Sequence, residues 1–143
     1  MKPTVTDADY KKRFIVPEEA IDANGHVNNV VYVHWMQDLA IQHWESLGGS
    51  EIEDAAGCTW VARSHQIEYL KPAFKGDQIE ARTWIANIGR ARSLRKYSFK
   101  RVDEDKPLAR GQTDWVFVDV TNGRPRPIPS TVRDLLPINE SNP

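Results

Sequence analysis

The feature that most constrains this chain is one long helical segment, residues 30–47, that is apolar on more than one face. Its main apolar stripe has the period of an α-helix and consists of Tyr32, Met36, Leu39, Ala40, His43 and Leu47. Trp35, Ile41 and Trp44 lie off that stripe, so most of the circumference is apolar. Such a helix is expected to be enclosed by other elements. Gly48 and Gly49 follow it as a predicted helix stop.

Strand patterns occupy most of the remaining chain and supply what could enclose this helix. Five strands are predicted, at residues 10–16, 59–70, 78–88, 93–102 and 108–120. In the third of them apolar side chains alternate with Glu80, Arg82 and Trp84, which predicts one buried face and one largely exposed face. The short connections between the last four segments favour antiparallel neighbours.

A run of small residues in the last strand indicates where the helix and the sheet can approach each other closely. Ala109, Gly111 and Thr113 share one face of that strand, where a helix backbone could come near. The element order β-α-β-β-β-β then predicts an α+β protein, in which one antiparallel sheet curls round one long central helix.

Composition narrows the class of protein. The chain has 143 residues, which predicts a single domain over residues 1–143, and 19 Lys and Arg residues stand against 20 Asp and Glu. This near-neutral balance predicts no general attraction to nucleic acid or to a membrane surface. Cys58 is the only cysteine, so no disulfide framework is expected and a cytoplasmic location is predicted. No run reaches the ~18 apolar residues of a membrane span.

The most informative motif precedes the long helix. Residues 22–29 read Asp-Ala-Asn-Gly-His-Val-Asn-Asn, followed by Tyr32. This motif resembles the signature of the hotdog-fold acyl-CoA thioesterases related to 4-hydroxybenzoyl-CoA thioesterase, and its Asn-x-His-Val-Asn-Asn form is similar to that of the plant acyl-ACP thioesterases. Residues 117–129 are similar to the closing strand and turn of that superfamily.

The resemblance implies a hotdog fold, a homodimer with sheets joined edge to edge, and an active site at the dimer interface. It also implies that Asp22 is the catalytic carboxylate and that Asn24 and His26 belong to the catalytic set. One departure stands out. The plant enzymes carry a Glu and a neighbouring Cys after the second strand, whereas residues 71–74 here read Lys-Pro-Ala-Phe. An Asp-centred mechanism is therefore favoured.

The chemistry of thioester hydrolysis can be assigned to this loop and helix start. Asp22 would act as general base on water or as nucleophile, and the sequence leaves both open. Backbone N–H groups at Asn28, Asn29 and Val30 form a candidate oxyanion site, because the first residues of a helix lack intrahelical acceptors. The alternatives are that Asp22 and Asn24 are turn residues, that His26 makes a structural hydrogen bond, and that the asparagines are helix caps.

Ligand contacts outside the loop are predicted at basic and aromatic residues. Arginines and a lysine cluster around the turn between the third and fourth strands, at Arg90, Arg92, Arg95 and Lys96. Of these, Arg90 and Arg92 resemble the family's nucleotide-contacting turn and are the candidates for binding the phosphates of CoA. The acyl chain is predicted to lie along Trp35, Met36 and Trp60.

No metal site or cofactor is predicted. His34 and Asp38 are spaced one helical turn apart, but the other potential ligands on the helix fall on different faces. The predicted function is hydrolysis of an acyl thioester of CoA or of an acyl carrier protein by a homodimer or a dimer of dimers. Two alternatives remain: a hotdog hydratase or dehydratase acting on acyl thioesters, and an acyl-CoA binding module without activity.

Overall fold

A computed structural model describes residues 9–139. Within that range the strands are β1 (Asp9–Ile15), β2 (Cys58–Tyr69), β3 (Gln78–Ile88), β4 (Arg92–Arg101) and β5 (Pro107–Asp119). The helices are α1 (Asn29–Ser46), α2 (Gly49–Ala56) and α3 (Ser130–Arg133), with a short 3₁₀ turn at Glu18–Ala20. Each predicted strand and the long helix is found, with its ends displaced by at most one residue.

The five described strands form one antiparallel sheet in the order β1-β3-β4-β5-β2. The sheet folds over one side of α1, whose buried side chains are Tyr32, Met36, Leu39, Ala40, His43 and Trp44. Tyr32, Met36, Leu39 and Ala40 form the main core together with Ile79 and Ala81 of β3 and with Tyr97 and Phe99 of β4. The predicted α+β class is confirmed, and so is the predicted position of the helix against the sheet.

Within residues 9–139 the enclosure of α1 is incomplete. The side of the helix away from the sheet carries Val30, 61% exposed, and Ile41, 50% exposed. The sheet of one chain covers only the side of α1 that faces it. No other element within residues 9–139 buries Val30 or Ile41. The uncovered stripe is therefore available to another molecule.

The predicted helix stop at Gly48 and Gly49 is confirmed, because α1 ends at Ser46. Gly48 has φ +80° and is the N-cap of the second helix, α2, which begins at Gly49 and was not predicted. The left-handed backbone at Gly48 strongly favours glycine and turns the chain between the two helices. α2 has only eight residues and few of them are large and apolar, so its sequence shows no helical period of apolar side chains.

Trp84 was predicted on the exposed face of β3, and this is wrong. The indole is fully buried. The guanidinium carbon of Arg82 lies 4.2 Å from its ring centroid, which is a cation–π arrangement, and Ile138 forms a bridge with the neighbouring residue Ile85. The outer face of β3 is thus covered locally by a long polar side chain and a C-terminal segment, neither of which strand alternation reveals.

The predicted close approach of helix and sheet at Gly111 is confirmed. A Cβ atom built on Gly111 would lie 2.8 Å from Ile67 Cγ1, 2.9 Å from the backbone oxygen of Gln66 and 3.0 Å from Met36 Sδ. The space is taken from two sides, by β2 and by α1. Glycine at this position therefore sets the distance between the long helix and the sheet.

We expect Gly111→Ala to lower the free energy of unfolding by about 1–3 kcal/mol, because the neighbouring backbone oxygen cannot move away as a flexible side chain would. Chemical denaturation of the variant and the parent measures this difference. Gly89→Ala is the matched control, since its Cβ would meet only the Arg92 backbone oxygen, at an ordinary 3.6 Å. Equal losses at the two positions would contradict the tight approach at Gly111.

None of the helices within residues 9–139 has the combination of length and apolarity needed to cross a bilayer.

Candidate active site

The loop that leads from β1 to α1 is held by a short turn around Asp22. The backbone N–H of Asp22 donates to the His26 oxygen at 3.0 Å, and the N–H of Gly25 donates to the Asp22 oxygen at 3.0 Å. Gly25 has φ +83°, a conformation that favours glycine and allows the chain to reverse here. Ile21 and Val27 pair as an isolated antiparallel bridge on either side. Asp22 and His26 therefore lie next to each other at the base of the turn.

The Asp22 side chain takes part in this turn and still has a free oxygen. Its Oδ1 accepts the backbone N–H of Asn24 at 2.9 Å, which is an Asx turn. Within residues 9–139 its Oδ2 has no hydrogen-bond partner. Asp22 is half-buried, whereas Asn24 is exposed at the tip of the turn. The turn role and a chemical role are thus compatible in the same carboxylate.

Two backbone hydrogen bonds fix the loop against the rest of the chain. The Val27 N–H donates to the Ala73 oxygen at 2.8 Å, and the Asn28 N–H donates to the Ala20 oxygen at 2.9 Å. Ala73 is buried and lies in the connection between β2 and β3. The start of α1 is therefore tied to the sheet and to the 3₁₀ turn.

The predicted oxyanion donors at the start of α1 are reduced from three to one. Asn28 is the N-cap, and its Oδ1 accepts the Val30 N–H at 2.9 Å, so the predicted capping role is confirmed. The N–H of Asn28 is bonded to Ala20, as described above. The expectation that Asn28 and Val30 also offer free N–H groups is therefore wrong. Among the three, only the Asn29 N–H has no acceptor within the described residues.

A cavity of about 230 Å³ opens at this end of the helix. His26 and Asn29 line it together with Tyr32, Tyr69 and the 70–73 segment. The Tyr69 hydroxyl donates to the Asn29 backbone oxygen at 2.9 Å and so holds the first turn of α1 in place. Asp22 is not among the lining residues and lies next to His26 in the turn. The structure thus brings the predicted loop residues together at one end of α1.

Tyr32 lines this cavity, although its helical spacing predicted a core position and the motif gave it no separate role. Its side chain is 3% exposed, and its hydroxyl has no hydrogen-bond partner among the described residues. Removal from water raises the pKa of Tyr32 to about 12, with the charge of Arg101 opposing the shift. A buried hydroxyl without a partner is unfavourable unless a ligand or water pairs with it.

We expect Tyr32→Phe to leave the unliganded protein as stable as the parent or more stable by about 1 kcal/mol, because it removes an unpaired hydroxyl from the interior. Thermal unfolding without ligand measures this. The conservative Tyr97→Phe change is the control, because the Tyr97 hydroxyl accepts a hydrogen bond from Trp115 Nε1, at 3.4 Å. A clear loss of stability in Tyr32→Phe would show that the hydroxyl already has a partner.

The predicted phosphate-binding arginines lie far from this loop within one chain. Arg90 and Arg92 are exposed at the β3–β4 turn, while the loop is tied to the connection that enters β3 at its other end. β3 has 11 residues, so these two places are roughly 30 Å apart. Arg92 forms a two-point ion pair with Asp114, whereas Arg90 has no ion pair within residues 9–139.

The remaining predicted residues divide between core and surface. Trp35 and Met36 pack in the main core, so they offer no wall to an open acyl channel, and Trp60 lines a second cavity at the other end of α1. Cys58 is buried in a second apolar cluster, as expected for a small apolar side chain. Among the described residues, no three His, Cys, Asp or Glu side chains are grouped so as to hold a metal ion.

Comparison with known proteins places this site in a family. Residues 15–136 match the Thioesterase-like superfamily, and the chain belongs to that superfamily. The match spans the loop, all of α1 and the sheet from β2 to β5. The resemblance carried by residues 22–29 is confirmed, and with it the hotdog fold.

Particular relatives agree with this assignment. A chloroplastic oleoyl-acyl carrier protein thioesterase from Coriandrum sativum is 28% identical over 133 residues, which are 87% of this chain and 36% of the relative. The chain thus spans about a third of that curated protein. The structure of an acyl-ACP thioesterase from Bacteroides thetaiotaomicron superimposes with a TM-score of 0.87 at 17% identity, over 99% of this chain and 58% of that one.

A shorter structural relative matches over nearly its whole length. A 1,4-dihydroxy-2-naphthoyl-CoA thioesterase from Synechocystis superimposes with a TM-score of 0.80 at 18% identity, covering 90% of this chain and 95% of that chain. At this level of identity the likeness establishes the hotdog fold alone.

Proposed function

We propose that this protein hydrolyses the thioester bond of an acyl-CoA or of an acyl carrier protein, releasing a carboxylic acid and a thiol. The observation that carries the proposal is the backbone N–H of Asn29 at the positive end of α1, which has no acceptor within residues 9–139 and belongs to a residue that lines a cavity beside the Asp22 loop. A thioester carbonyl bound there would have a donor where its oxygen gains charge. Membership of the Thioesterase-like superfamily supports this reading.

The proposed mechanism uses the residues of the loop. The Asn29 N–H donates to the thioester oxygen, and Asp22 either removes a proton from the attacking water or attacks the carbonyl carbon itself. In both routes the carbon–sulfur bond breaks and the sulfur leaves as a thiol, with a proton that comes from water. If Asp22 attacks, it forms a mixed anhydride with the acyl group, and water then hydrolyses this anhydride to release the acid and restore the carboxylate. His26 donates to the substrate or holds the loop, and Asn24 orients the carboxylate or the water. No cofactor or metal takes part in this scheme.

The proposal includes a second copy of the chain. Within the described residues the 12-residue strand β2 has one unpaired edge, a position at which sheets join or aggregate. The exposed Ile41 and Val30 on α1 add apolar surface to be covered. In a two-fold dimer Arg90 and Arg92 of one chain would reach the loop of the other, which explains why they lie so far apart within one chain. Dimers could pair further into a dimer of dimers.

The direct test is a substrate screen with purified protein. Short, long and aromatic acyl-CoAs and an acylated carrier protein are offered, and release of free thiol is followed. Thiol release supports the proposed function and identifies the acyl group and carrier. Addition of water to an unsaturated acyl chain without thiol release would instead identify a hydratase, and binding without turnover would identify an acyl-CoA binding module.

The arginines give a prediction for the assembly. Arg90→Ala combined with Arg92→Ala should raise KM for acyl-CoA about 10-fold with little change in kcat, since contacts to phosphates affect ground and transition states alike. A short N-acetylcysteamine thioester, which lacks the nucleotide, should show no such change. Equal losses on both substrates would argue against a phosphate site.

A mixing experiment tests whether the partner supplies these arginines. Chains carrying Asp22→Asn are mixed with chains carrying both arginine changes, under conditions that allow subunits to exchange. If each site combines Asp22 of one chain with the arginines of the other, the heterodimer contains one intact site. Activity at low acyl-CoA should then exceed the sum of the two parents. No gain on proven exchange would place both sets within one chain.

A further inference from the structure

A second cavity, of about 260 Å³, lies between the C-terminal half of α1, α2 and the sheet. Three tryptophans line it, Trp44, Trp60 and Trp115, together with aliphatic and polar side chains. It is distinct from the cavity at the start of α1, since Ala40 on its wall lies about 16 Å along the helix from Asn29. Of the residues predicted to contact the substrate, Trp60 is the one that lines it.

Arg95 gives this cavity its chemical character. The side chain comes from β4, lines the cavity and is only 5% exposed. No carboxylate lies within ion-pair distance of it among residues 9–139, although buried arginines are normally paired. Arg95 was predicted as part of the basic cluster around the β3–β4 turn, but alternation along β4 turns it inward.

The partners of Arg95 leave much of its guanidinium unused. Nη1 donates to His43 Nδ1 at 2.8 Å and to Thr83 Oγ1 at 3.1 Å, and within the described residues Nε and Nη2 have no hydrogen bond. His43 must be neutral to accept this bond, and burial, aided by the Arg95 charge, lowers its pKa to about 3. Neither partner therefore carries a negative charge that would compensate Arg95.

The one acidic group on the cavity wall is already engaged. Glu53 Oε1 accepts the indole N–H of Trp44, and Glu53 Oε2 accepts the backbone N–H of Trp60 at 3.3 Å. Its two oxygens thus hold α2 and β2 against α1. They form no ion pair with Arg95, so within residues 9–139 the buried guanidinium has no directly paired counter-charge on the cavity wall.

We propose that this cavity binds a carboxylate carried on an apolar body, with Arg95 as the anion-binding residue. A carboxylate is planar and can accept two hydrogen bonds from the guanidinium, which matches its free donors. It would also supply the missing counter-charge, while the indoles would contact the apolar body. Burying a lone cation is unfavourable for folding, so a ligand explains its presence where stability does not.

Two sources of such a carboxylate are compatible with the position of the cavity. One is the far end of the acyl group of a substrate whose thioester lies elsewhere, and this source rests on the proposed function. The other is a separate carboxylic acid, which includes the reaction's own product type. Both present the same group to Arg95, and they are distinguished below.

Binding is tested with octanoate and its neutral analogue octanamide, using the fluorescence of the cavity tryptophans and calorimetry. Wild type should bind octanoate at least about 10-fold more tightly than octanamide, because an ionic hydrogen bond is stronger than a neutral one. Arg95→Gln, which keeps an N–H donor beside His43, should abolish this preference, and Arg95→Lys should retain part of it. Arg110→Gln, an exposed arginine on β5, is the matched control.

A preference for octanoate that persists in folded Arg95→Gln would overturn the proposal. If Arg95→Gln does not fold, Ser50→Trp decides, since Ser50 is an exposed residue of α2 on the cavity wall and a large side chain there fills the space. Loss of octanoate binding in folded Ser50→Trp supports the site, and unchanged binding contradicts it.

The source is identified with acyl-CoAs of equal length that end in a carboxylate or a methyl group. If the acyl group itself reaches Arg95, Arg95→Gln should lower kcat/KM about 10-fold only for the substrate with the terminal carboxylate. If a separate acid binds, Arg95→Gln should change kcat/KM by the same factor for both substrates. Octanoate binding without any thioester hydrolysis would leave the site intact and refute the proposed function instead.

Discussion

Asp22→Asn is expected to lower kcat for thioester hydrolysis by at least about 100-fold, since the amide can neither accept the proton of water nor attack the carbonyl carbon. The fold should be unaffected, because an asparagine Oδ1 can still accept the Asn24 N–H that closes the turn. Thiol release measures kcat, and circular dichroism with thermal unfolding checks the fold.

The control for this change is Asp54→Asn, which alters an exposed carboxylate on α2 that lies outside both cavities. It should retain the turnover of the parent. Near-parental kcat in Asp22→Asn would move the chemistry to another group. A loss of kcat together with a lower unfolding temperature would show instead that the carboxylate acts through the turn.

The fold was predictable because its determinants are local or periodic. The two-residue period gave every strand to within one residue, and the helical period gave α1. The prediction that failed concerns burial of a side chain by distant parts of the chain. Trp84 is buried by Arg82 and a distant C-terminal segment. No pattern within a single segment contains that information.

The sequence predicted the position of the candidate site in the chain, but it did not predict which atoms are free to contact a ligand. The motif at residues 22–29 located the loop, but hydrogen bonds to Ala20 and to the Asn28 side chain decide that Asn29 alone offers a free N–H. The burial of Arg95 was missed because its sequence neighbours are basic. Its inward direction depends on the register of β4 against β3, where Arg95 pairs with Ile85.

Acid is expected to destabilise the protein through His43. Its pKa is about 3 in the folded chain, through burial first and the Arg95 charge second, against an ordinary 6.5 once unfolded. The unfolded chain therefore binds a proton that the folded chain does not, and stability is lost as the pH falls from 6.5 towards 3. The slope from this residue should approach 1.4 kcal/mol per pH unit, or roughly 2–3 kcal/mol between pH 6 and pH 4.

The contribution of His43 is isolated by comparison with His43→Gln, which stays neutral at all these pH values. Urea unfolding of both proteins at several pH values gives the slope of the unfolding free energy against pH for each. The two slopes should differ below pH 6.5. His34→Gln, on the exposed face of the same helix, should leave the slope of the parent unchanged. Parallel slopes for His43→Gln and the parent would mean that the buried imidazole gains its proton without unfolding.

The strand order described above also sets a sequence of events in folding. β3, β4 and β5 are consecutive hairpins, whose partners are close along the chain. The outer strands are different: β1 pairs Ile15 with Gln78, and β2 pairs Cys58 with Asp119, so each closes a long loop before any ladder forms. The central meander should therefore nucleate the sheet, with both outer strands docking late. In amide hydrogen exchange, β4 should be the slowest strand to exchange, and β1, which has the shorter of the two outer ladders, should open first.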